Sequence, residues 1–139
     1  MSIRIFYDCT KYKFSGWKKA EKTIEEVIRN ESKVSGEINI IITNDEIIRE
    51  MNRQFLRHNY NTDVIAFNYN EGSYINGEIY ISIDTVKRNS SEYKVYLKEE
   101  VLRVIIHGIL HLLGFNDTEK SEREKMKKME DFWLQKFEK

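Results

Sequence analysis

The first half of the chain switches twice from a strand pattern to a helix pattern. Apolar residues at every second position predict a strand at residues 3–7, and a short β-branched run predicts another at residues 37–43. After each strand, apolar residues recur three or four positions apart and predict helices at residues 17–28 and 47–55. The Asn-Asp pair at 44–45 is expected to cap the second helix. The order predicted so far is β-α-β-α.

The second half predicts a hairpin followed by helices. Residues 64–67 and 79–83 have the pattern of two strands, joined by a polar loop at residues 70–77 with glycines near both ends. Three helices complete the chain: a short one from about Asp84, one from about Leu97 to Leu113, and one from about Glu119 to Phe137. We therefore expect one α+β domain spanning residues 1–139, with a mixed four-stranded sheet, about five helices and the 97–113 helix at its centre.

The most apolar stretch of the chain carries two histidines. Apolar residues occupy nearly every face of the predicted helix at 97–113, which is typical of a buried helix. His107 and His111 are four residues apart, so both rings lie on one face, where they can bind one ion. Gly114 is expected to end the helix in a left-handed turn, after which Asp117 can supply a carboxylate as a third ligand.

The spacing HxxxHxxGxxD matches the metzincin zinc-site string HExxHxxGxxH with two changes. Asp117 replaces the third histidine, which zinc accepts, and Gly108 stands where the glutamate base of those peptidases stands. A zinc peptidase is therefore disfavoured. We expect Gly108 to let another backbone or a bulky substrate approach the helix. Structural zinc sites are usually four-coordinate and rich in thiolates, but Cys9 is the only thiol of this chain. Three ligands with an open fourth position therefore favour a catalytic ion over a structural one.

Composition indicates the class of protein but leaves its partner open. One cysteine, no signal-peptide pattern and no apolar run of roughly 20 residues favour a cytoplasmic protein without a membrane span. The 23 basic and 23 acidic residues cancel, which at first counts against a nucleic-acid partner. However, residues 8–22 hold five lysines and two acids, whereas residues 61–84 hold four acids and no Lys or Arg. The charge is thus segregated along the chain.

With these motifs, the sequence resembles the bacterial YbeY family of metal-dependent endoribonucleases and rRNA maturation factors. The family string HGxLHLxGYDH is matched by HGILHLLGFND at residues 107–117. A second family stretch, an Asn-x-x-aromatic segment followed by TDVLSF and a Gly-acid-Ile strand, is matched at residues 52–55, 62–67 and 77–79. The matched stretches extend over roughly residues 51–117, in the family's order.

The resemblance implies a zincin-like fold and a zinc-dependent hydrolase of single-stranded RNA. It implies action on the small ribosomal subunit, in late maturation and quality control, particularly at the 3′ end of its rRNA; no membrane or DNA partner is expected. One zinc ion is expected at His107, His111 and Asp117, where the third family ligand is normally histidine. The family's active-site arginine directly follows the Asn-x-x-aromatic element. Leu56 holds that position here, so Arg57, one residue later, is the candidate catalytic residue.

A basic stripe on the second predicted helix is the candidate RNA contact. Arg49, Arg53 and Arg57 recur every four residues, and His58 follows them. We expect Arg53 and His58 to bind RNA, with an affinity that falls as salt rises. Three acidic residues share this helix, so ion pairs on a solvated face are an equally good interpretation.

Several alternatives stay open at this point. A zinc peptidase would need a base that Gly108 does not supply. Two histidines and one carboxylate also form the facial triad of non-haem iron oxygenases. In a non-catalytic ribosome-associated factor, the metal would only stabilise the fold. For RNA cleavage, the nucleophile is either a water that the ion activates or the 2′-hydroxyl of the substrate.

Overall fold

The computed structural model describes residues 2–57 and 62–138. These residues form four strands and five helices, which confirms the predicted α+β fold. In chain order they are β1 (Ser2–Tyr7), α1 (Trp17–Asn30), β2 (Val34–Thr43), α2 (Asp45–Phe55), β3 (Val64–Asn68), β4 (Tyr74–Ser82), α3 (Ile83–Tyr93), α4 (Leu97–Leu112) and α5 (Lys120–Glu138). Over the described ranges, none of these helices combines the length and the apolar character needed to span a bilayer.

The strands form one mixed sheet in the order β1-β2-β4-β3. β1 and β4 run parallel to β2, with Ile5 opposite Ile40 and Ile40 opposite Ile79. β3 is an edge strand and runs antiparallel to β4, which confirms the predicted hairpin. Because successive side chains of a strand point to opposite faces, isoleucines at every second position of β2 and β4 build one apolar face for the helices.

Two strands begin earlier than the hydrophobic pattern predicts. β2 begins at Val34 instead of Glu37, and β4 begins at Tyr74 instead of Ile79, because Val34 pairs with Tyr74. Half of the predicted loop, residues 74–77, is therefore strand. The turn that remains is tight: the backbones of Glu71 and Tyr74 hydrogen-bond to each other, and Gly72 has φ +60°. Backbone pairing extends through polar residues here, and the apolar pattern does not report it.

Side-chain caps fix the starts of α2 and α3. The Asn44 side chain accepts a hydrogen bond from the Ile47 backbone N–H at 3.0 Å, so Asn44 is the predicted cap of α2. The Ser82 hydroxyl accepts from the Thr85 N–H at 3.3 Å. This second cap begins α3 directly after β4, so Ile83 belongs to the helix and not to the predicted strand.

Asp45 ties the start of α2 to that of α3. Its Oδ1 accepts hydrogen bonds from the hydroxyls of Ser82 and Thr85 at 2.5 and 2.6 Å, and its Oδ2 lies 2.8 Å from Arg88 Nη2. Burial opposes ionisation of this carboxyl, but the three partners outweigh burial and hold the pKa of Asp45 below its ordinary value.

Helix α4 lies at the centre of the helical layer, as predicted. It contacts β3, β4, α1, α3 and α5. Its apolar side chains are almost fully buried, among them Val101, Leu102, Ile105, Ile106 and Ile109. Burying a side chain of this kind stabilises a fold by about 1.5–3 kcal/mol. The helix that carries the two histidines is therefore firmly held.

Two glycines bring α4 close to β4. A Cβ on Gly77 of β4 would lie 2.7 Å from a methyl carbon of Leu112, and a Cβ on Gly108 of α4 would lie 2.8 Å from one of Ile79. Ordinary carbon contacts are about 3.5–4.0 Å, so neither position has room for a side chain. The Asn70 amide also donates to the Leu112 carbonyl at 2.8 Å. Of the two neighbours expected at Gly108, another backbone or a bulky substrate, the structure shows another segment of the chain: β4 lies against the helix there, and Ile79 fills the space.

Candidate metal centre

His107 and His111 are the partly exposed positions on an otherwise buried stretch of α4. Their side chains are 23% and 29% exposed, whereas Gly108, Ile109 and Leu110 between them are buried. The two Nε2 atoms lie 2.9 Å apart. The i, i+4 spacing therefore turns both nitrogens toward one point, as predicted.

A Schellman turn ends α4 and folds the chain back toward the histidines. The N–H groups of Gly114 and Phe115 donate, each at 3.0 Å, to carbonyls of the last helical turn. Gly114 has φ +100°, a conformation that L residues rarely adopt, so its predicted role as a helix terminator is confirmed. The turn places Asp117 Oδ2 at 3.1 Å from His107 Nε2 and 3.3 Å from His111 Nε2.

These three atoms have the dimensions of a metal-ion ligand set. Their separations are 2.9, 3.1 and 3.3 Å. In a tetrahedral zinc site with ligand distances of about 2.0–2.1 Å, neighbouring ligands are about 3.3–3.4 Å apart. A small outward movement would give that spacing. Two imidazole nitrogens and a carboxylate oxygen are also donors that zinc prefers, so His107, His111 and Asp117 could hold a metal ion.

Glu130 of α5 orients the first histidine from the side away from the ligand set. His107 Nδ1 lies 2.7 Å from Glu130 Oε2, so a ring N–H donates to the carboxylate and leaves the Nε2 lone pair free for an ion. Arg103 binds the other Glu130 oxygen at 2.9 Å and Asp131 at 2.6 Å. The Glu130 side chain is only 9% exposed, and its two partners compensate its buried charge.

Burial and charge shift the pKa values of several groups around the ligands. Burial opposes the ionisation of His107, but the hydrogen bond and charge of Glu130 outweigh it and raise the pKa of this imidazole. Burial raises the pKa of the Asp63 carboxyl, and the nearby His107 only partly opposes the rise. Burial also raises the pKa of Glu100. Two carboxyl groups close to the ligands therefore hold a proton more readily than ordinary acids do.

Two clefts meet at the ligand set. The first, which we call the α5 cleft, has a volume of about 690 Å³ and is lined by Tyr93, Val104, Arg123, Met126 and Lys127, among others. The second, the β3 cleft, has a volume of about 470 Å³ and is lined by Leu56, Thr62 and residues 64–66. Asp63, His107 and Asp117 line both clefts. The ligand residues thus border two open spaces, one lined largely by residues of α4 and α5 and the other mainly by residues around β3.

Comparison with known proteins identifies the family. The family model described as Endoribonuclease YbeY matches residues 7–138. This chain belongs to the YbeY family. A relative named Endoribonuclease YbeY from Parabacteroides distasonis is 46% identical over 117 residues, which cover 84% of this chain and 78% of the relative. One of the same name from Bacteroides fragilis strain ATCC 25285 is 45% identical over 131 residues, or 93% of this chain and 94% of the relative.

The fold comparison agrees with the family assignment. A solution structure of a protein from Thermotoga maritima matches this YbeY-family chain with a TM-score of 0.66 and 28% sequence identity. The match covers 98% of this chain and 89% of the other. The resemblance inferred from the two sequence motifs is therefore confirmed across nearly the whole chain.

The predicted arginines lie around the end of α2. Leu56 lines the β3 cleft. Arg57, the next residue, is exposed and has φ +58°. It is absent from the described lining of both clefts. Arg53 forms an exposed ion pair with Glu50 at 2.5 Å, the kind of pair expected on a solvated face. His58 lies outside the described residues. The catalytic role of Arg57 and the RNA contacts of Arg53 and His58 stay predictions.

Glu130 and Asp63 are site residues that the sequence reasoning missed. Glu130 occupies the apolar stripe of α5, between the buried Met126 and Trp133. A charged residue in such a stripe is a signal, because a buried carboxylate needs a partner. Asp63 gave no comparable signal: it was matched as part of a family motif, and its nearness to His107 depends on how β3 packs beside α4.

Proposed function

We propose that this protein is a metal-dependent endoribonuclease that cleaves single-stranded RNA during rRNA maturation. The proposed metal ligands are His107, His111 and Asp117, and the proposed ion is zinc. The finer proposal is a substrate at the 3′ end of small-subunit rRNA, with the small ribosomal subunit as partner, in the cytoplasm. The whole chain would act as one hydrolase domain.

The observation that carries this proposal is the position of the ligand set at the junction of two clefts. An endonuclease cuts inside a strand, so its substrate must continue on both sides of the cleaved phosphate. The α5 cleft and the β3 cleft offer such a path, with the ligand residues His107 and Asp117 on the walls of both. A chain of the YbeY family with this arrangement supports internal cleavage of RNA better than it supports the alternatives.

The ligand residues and their partners would prepare the site for cleavage. When bound, a zinc ion supplies a Lewis acid for a phosphoryl oxygen and lowers the pKa of a water molecule. Glu130 holds the His107 ring with its Nε2 toward the ligand set, and Arg103 keeps Glu130 in place. A phosphate at the junction would lie beside both clefts, with its ester oxygens directed along them.

Asp63 is the proposed proton acceptor of the reaction. Either nucleophile, a water or the 2′-hydroxyl, must lose a proton, and Gly108 offers no base. Three of the described residues line both clefts: the proposed ligands His107 and Asp117, and Asp63. Burial raises the pKa of the Asp63 carboxyl, which makes it a stronger proton acceptor than an ordinary aspartate. We expect Asp63→Asn to lower kcat about 10²–10⁴-fold, the usual contribution of a general base, with metal affinity little changed.

The decisive experiment combines elemental analysis with RNA cleavage. The purified protein should contain one zinc ion per chain, and it should cleave a single-stranded RNA internally but not the same RNA annealed to its complement. Asp117→Ala should lose both the metal and the activity. Asn116→Ala, which changes an exposed neighbour in the same turn, should lose neither. Equal cleavage by the wild type and His107→Ala would reject the assigned site.

The remaining alternatives give different results in the same measurements. Bound iron with oxygen-dependent turnover would indicate an oxygenase. Cleavage of peptides would indicate a peptidase with an unrecognised base. If His111→Ala lowered the melting temperature but left RNA maturation intact, the ion would be structural. A substrate with a single 2′-deoxy sugar at the cut site separates the nucleophiles, because only attack by the 2′-hydroxyl is abolished.

We propose a catalytic role for Arg57, and RNA contacts for Arg53 and for His58, which lies outside the described residues. Leu56 lines the β3 cleft, and the exposed Arg57 follows it directly in the chain. Arg57→Gln should lower kcat if the guanidinium stabilises the reacting phosphate, and should raise only KM if it holds a flanking phosphate. Arg53→Gln should weaken RNA affinity modestly, because Glu50 already neutralises part of this charge.

A further inference from the structure

The α5 cleft contains an aromatic ring and two cations that the metal centre does not use. Tyr93, at the end of α3, is 59% exposed and lines this cleft. Arg123 and Lys127 are exposed, four residues apart on one face of α5, and line it as well. The cleft volume of about 690 Å³ is within the range of about 300–1,000 Å³ that small-ligand sites occupy.

The charges of the α5 cleft are arranged by depth. The acids Glu100 and Glu130 are buried: burial raises the pKa of Glu100, and Glu130 is paired with Arg103 and His107. The cations Arg123 and Lys127 are exposed at the rim. A polyanion would therefore meet positive charge at the rim, where the exposed ring of Tyr93 is also available to a base.

We propose that the α5 cleft binds a nucleotide that flanks the cleaved phosphate, with its base stacked on Tyr93 and its phosphate held by Lys127. Arg123 would assist, although its Nη1 also donates to the Thr118 carbonyl at 2.5 Å and so supports the turn that carries Asp117. Lys127 forms no ion pair or hydrogen bond with any residue in the described ranges, and its ammonium is available to a phosphate. This inference rests on the proposed endoribonuclease function and specifies how the substrate is held.

Aromatic stacking and a phosphate contact predict distinguishable effects on RNA affinity. Stacking of one base contributes enough that losing the ring weakens binding about fivefold or more, independently of salt. Each phosphate contact contributes about 0.7 to the slope of log affinity against log salt. Raising the salt from about 50 to 200 mM lowers RNA affinity by some factor in the wild type. Without the Lys127 contact, that factor should be about 2.6 times smaller.

The test is binding of a fluorescein-labelled single-stranded RNA dodecamer to metal-free protein in EDTA, followed by anisotropy at several salt concentrations. Lys127→Gln should weaken binding and flatten the salt response by one phosphate contact. Lys128→Gln, the matched control, removes the next and equally exposed lysine of α5, which does not line the cleft, and should match the wild type. Tyr93→Leu should weaken binding about fivefold or more, and Tyr93→Phe should restore it because the ring is retained.

Cleavage assays then separate this inference from the function it rests on. With metal-loaded protein, Lys127→Gln and Tyr93→Leu should raise KM and leave kcat within about twofold, because both contacts lie away from the reacting atoms. The Lys127 effect should vanish on substrates shortened on one side of the cut and persist on those shortened on the other. If the wild type cleaves RNA but Lys127→Gln equals Lys128→Gln, the nucleotide subsite is refuted and the nuclease stands. If wild type and His107→Ala cleave equally, the proposed function itself is refuted.

Discussion

The contact between Glu130 and His107 predicts that a residue outside the ligand set controls metal affinity. In the wild type, His107 Nδ1 and Glu130 Oε2 are 2.7 Å apart. Glu130→Gln keeps the size of the side chain, and its amide oxygen can still accept a hydrogen bond from the His107 Nδ1–H. It removes the negative charge that raises the pKa of the His107 imidazole and that balances Arg103. A neutral partner makes the imidazole a weaker electron donor, so the ion is held less tightly.

The expected loss is a factor of about 10–100 in metal affinity, the usual effect of changing the hydrogen-bond partner of a ligand histidine. This factor equals about 1.4–2.7 kcal/mol at 25 °C. Glu130→Ala should lose more, because it removes the acceptor altogether and breaks one of the ion pairs of Arg103, leaving the pair with Asp131. Folding stability should fall as well, since a half-buried guanidinium loses one of two charged partners.

The assay is zinc titration against a competing chelator, with RNA cleavage at saturating zinc measured in parallel. Asp131→Asn is the matched control: it changes the neighbouring residue and removes the other carboxylate on Arg103, but it does not touch His107. Its zinc affinity should stay within about twofold of the wild type. The reasoning is refuted if Glu130→Gln binds zinc as tightly as the wild type, or if Asp131→Asn loses as much affinity as Glu130→Gln.

Three further predictions concern the frame that holds the site. Gly108→Ala places a Cβ 2.8 Å from Ile79; overpacking of about 1–3 kcal/mol, less about 1 kcal/mol of helix propensity, should give a net loss of about 1 kcal/mol in urea unfolding. Gly114→Ala forces an L residue to φ +100°, which should cost about 1–3 kcal/mol by the same measurement and lower zinc affinity through displacement of Asp117. Asp45→Asn should cost on the order of 2 kcal/mol at pH 7. Because the folded pKa of Asp45 is lowered, this difference should be complete above about pH 4 and shrink as pH falls toward the folded pKa.

Each of these predictions has an outcome that contradicts it. For Gly108→Ala, a more stable protein would mean that the Ile79 side chain moves aside at little cost, so that the gain in helix propensity dominates the free energy of unfolding. For Gly114→Ala, unchanged zinc affinity would show that Asp117 reaches the histidines without this turn. For Asp45→Asn, a loss of stability equal at pH 7 and pH 3 would mean that the carboxylate charge plays no part in joining α2 to α3.

Local sequence signals predicted that His107, His111 and Asp117 come together, because most of that geometry is local. The i, i+4 histidines, the helix-ending glycine and the carboxylate three residues later all lie on one helix and its following turn. Helical periodicity and left-handed capping dictate such an arrangement wherever the segment folds. The α+β class was also readable, since each strand and helix has its own apolar period.

What could not be predicted depends on contacts between distant segments. Glu130 reaches His107 only because α5 packs along α4, and no local period encodes that pairing. The early start of β4 depends on the backbone of β2 beside it, because Tyr74 and Ile75 pair with Val34 and Ser35. At Gly108 the sequence leaves open whether a backbone or a substrate approaches the helix, because an absent side chain signals close approach but does not say of what. The neighbour, Ile79, lies on a strand distant in sequence.

The paired glycines of α4 and β4 also fix the register of the helix that carries the two histidines. Gly108 accommodates Ile79, and Gly77 accommodates Leu112, so each surface carries one projection and one recess. The four residues from Gly108 to Leu112 span about 6.0 Å of helix, and the two residues from Ile79 to Gly77 span about 6.6 Å of strand. A slide of one turn would set Leu112 against Ile79, projection against projection. This interlocking packing therefore resists any shift of the two histidines along the sheet.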